Sequence, residues 1–95
     1  MRIEELWWDE ANLEHIARHQ ITPGEVEAVI FEDEPIVARA RAARYAIYGQ
    51  AIGGRYLVIF VEALRIGRSR QPHRHYPLTA RQMTDAERQR YRALI

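Results

Sequence analysis

The sequence predicts an α+β domain in which a small antiparallel sheet of three or four strands packs with three helices, in the order β-α-α-β-β-β-α. Three segments carry a helix-start signal followed by apolar residues at helical spacing. Between the second and third of them the apolar period changes to that of strands. The chain has 95 residues, 47% of them hydrophobic and 28% charged, which suits one core and a single domain over 1–95.

The elements follow in chain order. Arg2 to Trp8 ("RIEELWW") alternates weakly and reads as a first strand. Asp9 can cap the first helix, with Trp8 and Leu13 as a hydrophobic staple and Leu13, Ile16 and Ala17 as its apolar stripe. Thr22 and Glu25 form a capping box for the second helix, and Pro23 suits its first position. Val26, Val29 and Ile30 give its buried face. "IVARARAARYAIYGQ" reads as one strand, although its alanines and arginines also suit a helix. "GQAIGG" is a hairpin turn signal. "RYLVIFVEAL" is a continuous apolar run, as expected of a central strand covered on both faces. "RIGRSRQP" reads as a polar turn and "HRHYPLTAR" as the next strand, where Pro77 requires an edge or a bulge. Thr84 and Glu87 cap the last helix, with Tyr91, Leu94 and Ile95 toward the core.

Composition narrows the chemistry. There is no cysteine, so disulfides and thiolate metal sites are excluded. The N-terminal stretch has acids where a signal peptide has a basic and then an apolar segment, and no apolar run is long enough to span a bilayer. A cytoplasmic protein without membrane contact is the expectation. The net charge of +1 hides a polarised chain. Residues 1–34 hold ten acids and two arginines; residues 35–95 hold three acids and twelve arginines. All fourteen basic residues are arginine, the side chain suited to planar, bidentate contact with phosphate. That polarity suggests a basic face for nucleic acid or an acidic partner, unless the two halves neutralise each other on folding.

Four segments, in order and at matching spacing, resemble the BrnT family of bacterial type II toxins. They are "WDEAN" (8–12), "RHQITPGEVEAVIFE" (18–32), "RYAIYGQAIGGRYLVIFV" (44–61) and "TARQMTDAERQRY" (79–91), so the resemblance extends over nearly the whole chain. The resemblance implies a RelE-like fold and a ribonuclease that stops translation without a cofactor. It also implies a BrnA-like antitoxin with a ribbon-helix-helix part, so that DNA is met only through the antitoxin. A homodimer within that complex stays open. The chain departs from the family's usual pattern at Ala43 and Gln82, where acids are common, and has Arg18-His19 for Lys-His. Fewer carboxylates then remain as bases, and this motivates the alternative of a non-catalytic module that binds antitoxin or RNA.

Metal-free RNA cleavage needs a group to take the 2′-OH proton, donors for the charged phosphorane and an acid for the leaving oxygen. Arg81 is the first candidate, at the end of a strand just before the helix start at Thr84; its competing role is a pair with Glu87 across the turn. Arg44, at the position of the family's arginine, and His19, matching the family's histidine, complete the catalytic set. Arg88, Tyr91, Arg74 and His75 are candidate RNA contacts. His15 and His19 share a helix face at metal-ligand spacing, but no third ligand is evident, so no metal site is expected. On a regular strand His73, His75, Thr79 and Arg81 would share one face, a regularity that Pro77 puts in question.

Overall fold

The computed structural model describes residues 2–95, with Pro72 as backbone only. Its elements are β1 (Glu5–Leu6), α1 (Glu10–Ala17), α2 (Pro23–Glu27), a π-helical turn (Ala28–Glu32), β2 (Ile36–Arg39), β3 (Arg44–Gln50), β4 (Tyr56–Ile66), β5 (Ser69–Gln82) and α3 (Asp85–Leu94). The strands form one sheet in the order β1-β5-β4-β3-β2. The α+β class holds, with three α-helices among the described residues.

The sheet differs from expectation in three ways, one being that the segment read as a polar turn (65–72) lies in β4 and β5 except for Gly67 and Arg68. The segment read as one strand is two, β2 and β3, which raises the count to five. The chain reverses between them with Ala42 at φ 53°, a left-handed conformation that alanine rarely takes. No glycine, proline or asparagine marks that turn. The sheet is also mixed: β1 runs parallel to β5, pairing Glu5 with Arg74 and Leu6 with His75.

All three helix starts are capped by reciprocal side-chain and backbone bonds. At α1 the partner of Asp9 is Asn12: each side chain accepts from the other's backbone N–H at 2.9 Å. Asn12 is buried and also donates to the Trp7 carbonyl. The buried stripe of α1 is therefore Asn12 and Ile16, while Leu13 and Ala17 stay exposed. At the other end of the chain Tyr91 is buried, but Leu94 and Ile95 face solvent.

β4 is covered on both faces, as its unbroken apolar run requires: Leu57, Val58, Ile59 and Val61 have no exposed surface. Side chains alternate along a strand, which assigns the two faces. Leu57, Ile59 and Val61 pack with Ile16, Val26 and Val29 from the N-terminal helices. Val58, Phe60 and Glu62 point the other way, toward the face that α3 partly covers. There Tyr91 meets Tyr56 edge to face, with ring centroids 6.0 Å apart.

Two irregularities shape β5. Thr79 pairs with Phe60 and Pro77 with Val61, so Leu78 is an extra residue, a β-bulge beside the proline. A second shift separates His75 (opposite Ala63) from Gln71 (opposite Leu64). Beyond it β4 and β5 continue as a two-stranded arm past the end of β3, turning at Gly67 and Arg68.

Gly49 on β3 lies against the π-helical turn. A Cβ there would come within 2.7 Å of Val29 Cγ1 and 2.9 Å of Asp33 Oδ2. Val29 is fully buried and Asp33 accepts from the Gln50 N–H, so neither has room to yield. Gly49→Ala is expected to destabilise the fold by about 1–3 kcal/mol through overpacking. A shift of the urea midpoint to lower concentration at an unchanged slope checks it.

Candidate nucleic-acid interface

Arg44 pairs in register with Glu62 across β3 and β4, and Arg81 with Val58 across β4 and β5. Glu62 and Val58 are four apart on β4, so both arginines stand on the face away from α1 and α2. Four residues along and two strands across place their Cα atoms about 16 Å apart. At that separation the two guanidinium groups suit different phosphates of one strand.

Phe60 lies between them on the same face. The Arg81 guanidinium carbon sits 5.7 Å from its ring centre. Toward Arg44 the surface opens into a hollow of about 570 Å³. His15 of α1, Arg41 and Arg44, Phe60, Tyr76 and Thr79 line it. α1 reaches this side because Tyr76 anchors its N-terminus, donating from its hydroxyl to Asp9 at 2.9 and 3.0 Å. The hollow thus holds two arginines, an imidazole and an aromatic face. Thr79 Oγ1 at its wall has no hydrogen-bond partner among the described residues.

Arg81 is engaged in the free protein. It donates to Glu87 through both terminal nitrogens, at 2.7 and 3.0 Å, and to the Gln82 carbonyl at 3.2 Å. The Arg81 hydrogen bonds, with help from the Thr84 N–H and against the opposing effect of burial, hold the Glu87 carboxyl down to about 2, from an ordinary 4.5. A depressed carboxyl stabilises the fold fully above its unfolded value, near pH 4.5, and the contribution is lost as pH falls through 2. Glu87→Gln retains the cap acceptor but loses the charge. It is expected to cost about 1–2 kcal/mol at pH 7, after allowance for solvent around the one-third-exposed arginine. In unfolding curves the difference from wild type should shrink as pH falls toward 2.

Arg44 is freer. Its pair with Glu62 spans 3.3 Å between side chains that are 49% and 41% exposed. A surface pair of this kind is weak and exchanges readily for a phosphate.

The other residues named from sequence do not all converge. His19 does not line the hollow; it stacks on His15, with ring centroids 6.4 Å apart, and His15 faces the hollow. Arg88 is on the exposed side of α3, bonded to Asp85 at 3.0 Å. Arg74 pairs with Glu5 at 2.8 Å and lies over the Trp7 ring. Two RNA contacts are overturned by burial. Tyr91 is 5% exposed, packs on Tyr56 and reaches Asp33 at 3.4 Å, so its ring cannot stack on a base. His75 is 1% exposed and points to the opposite face, against Tyr45. Burial lowers its pKa, with His73 adding to the effect, so the neutral ring is favoured and no cation is presented to RNA.

Sequence reasoning missed His15, Phe60 and Arg41 as site residues. It also missed Arg55, which bonds Glu25 at 2.6 and 2.9 Å and the Gln20 carbonyl at 2.6 Å. Arg55–Glu25 and Arg74–Glu5 are the ion pairs that join the acidic and basic parts of the chain among the described residues. Most of the C-terminal arginines are therefore not neutralised by the N-terminal acids. Among the described residues no group of three or more His, Asp or Glu is placed to hold a metal ion, and no helix is long and apolar enough to cross a membrane. No family model matches the sequence, and neither a curated protein nor a solved structure does.

Proposed function

We propose that the chain is an endoribonuclease of the toxin type, which cuts single-stranded RNA in the hollow beside Phe60 and is neutralised by a small ribbon-helix-helix antitoxin. One observation carries the catalytic part: Arg44 and His15 line the same hollow, floored by an aromatic ring and rimmed across that ring by Arg81. The toxin class and the antitoxin rest on the resemblance of the four segments.

In the proposed reaction a base stacks on Phe60 and the scissile phosphate enters the hollow. His15 takes the proton from the 2′-OH as its oxygen attacks phosphorus. The O2′–P bond forms and the P–O5′ bond breaks. Arg44, with Arg41 beside it, holds the equatorial oxygens as charge builds on them. The leaving 5′-oxygen takes its proton from His15 or from water. The products are a 2′,3′-cyclic phosphate and a 5′-hydroxyl. Arg81 exchanges Glu87 for a phosphate further along the strand and sets its register.

The competing reading is an RNA- or antitoxin-binding module that does not cut. What favours it is that Arg81 and Arg44 are each paired with a carboxylate in the free protein. Expression of wild type and of a His15→Ala variant in bacteria separates the two. Growth arrest by wild type alone supports cleavage. Equal arrest by both, or none by either, favours the binding module.

A further inference from the structure

The arm formed by the ends of β4 and β5 carries a charge arrangement that folding does not need. Arg65 and Arg70 are direct cross-strand partners, and Arg68 sits in the turn between them. Like charges placed opposite one another destabilise a strand pair. No acid occurs in the sequence between Glu62 and Asp85. Among the described residues none of the three arginines is in an ion pair, and all three are exposed. Arg65 and Arg70 line a second hollow together with Glu62 and Tyr76. Tyr76 also lines the Arg44 hollow, so the two are neighbours.

We propose that this arm is a phosphate-binding extension of the interface. It would hold a single-stranded RNA beyond the point at which the strand occupies the Arg44 hollow. From Val58, opposite Arg81, to Arg65 is seven residues along β4, or about 23 Å. By alternation along β4, Arg65 and its partner Arg70 root on the face opposite Phe60 and Arg44, so a strand leaving Arg44 reaches them over the side of the arm, through the hollow that both arginines line with Glu62 and Tyr76. Bound phosphates relieve the Arg65–Arg70 repulsion, so the arm stores in the free protein a strain that a polyanion removes. The inference rests on the chain's being an RNA-binding protein, and not on its cutting RNA.

The test is a triple variant, Arg65→Gln, Arg68→Gln and Arg70→Gln, compared with wild type on a fluorescent single-stranded RNA of roughly 20 nucleotides. Affinity is measured over a series of salt concentrations. Loss of three phosphate contacts lowers the slope of log affinity against log salt by about 2, and weakens binding about 100-fold at 0.1 M salt. Cleavage of a trinucleotide, too short to reach the arm, stays at the wild-type rate. An unchanged slope and affinity would overturn the proposal. So would unchanged RNA affinity with loss of binding to polyglutamate, which would assign the arm to an acidic protein instead. If wild type leaves the trinucleotide intact but the slope still falls, the cleavage reading fails and the arm stands. Folding is controlled by Arg70→Gln alone, which raises the thermal midpoint at low salt by about 1–5 °C because a repulsion is removed. A lowered midpoint would mean that the arginine supports the arm's fold.

Discussion

Replacing Arg44 by lysine is expected to slow RNA cleavage about 100- to 1,000-fold, the usual loss when one positioned donor to a developing charge is removed. Lysine keeps the positive charge, so the pair with Glu62 and the general attraction for RNA survive. What it loses is the planar fork that can grip two phosphate oxygens at once. The half-exposed Arg44–Glu62 pair contributes little to stability, so the variant should unfold at nearly the wild-type midpoint. Single-turnover cleavage of a short RNA is the measurement. The contrast with Arg81→Lys gives it force. Arg81 does not line the hollow and is bound to Glu87 before RNA arrives. Its lysine variant keeps the charge, so both the affinity at about 0.1 M salt and the rate at saturation should stay close to wild type. Equal losses for the two variants would put the reacting phosphate nearer Phe60 than Arg44.

Substituting His15 by alanine should cost about 100- to 10,000-fold in rate, the range for losing a general acid–base group. His19→Ala should stay close to wild type. The two rings stack on one face of α1, so the second variant controls for disturbance of the helix. His15 is exposed and its helix is held by Asp9, Asn12 and Ile16, so neither change empties the core. The paired rates, measured beside unfolding midpoints for each variant, separate chemistry from folding. A large loss for His19→Ala with none for His15→Ala would return the proton transfer to His19.

How far the sequence showed this arrangement depended on the range of the interaction. The capping boxes at Thr22 and Thr84 were legible because a cap is local: four consecutive residues contain both partners. Glu87 was legible as a competitor for Arg81 for the same reason. The central strand was legible because Leu57, Val58, Ile59 and Val61 leave no polar face. The reversal at Ala42 carried no turn residue, so β2 and β3 read as one strand. The parallel pairing of β1 with β5 joins residues about 70 positions apart, and nothing local announces it. The site turned on a single residue. On a regular strand His75 and Arg81 share a face, but the bulge at Leu78 shifts the alternation by one. His75 therefore points into the helix-packed side and Arg81 into the open one. Pro77 signalled that irregularity without revealing its direction. His15 and His19 likewise share a helix face by spacing; only the packing of α1 shows which of them lines the hollow with Arg44.

The central claim is that the Arg44–His15 hollow cuts RNA by using the strand's own 2′-OH. The most direct measurement compares one RNA oligonucleotide with the same strand carrying a single 2′-deoxy residue on the 5′ side of the cut, in EDTA, with the product ends identified. The predicted result is cleavage of the first to a 2′,3′-cyclic phosphate and a 5′-hydroxyl, and an intact deoxy strand that still binds. Cleavage of both strands alike, or an RNA left as intact as in buffer, would contradict it.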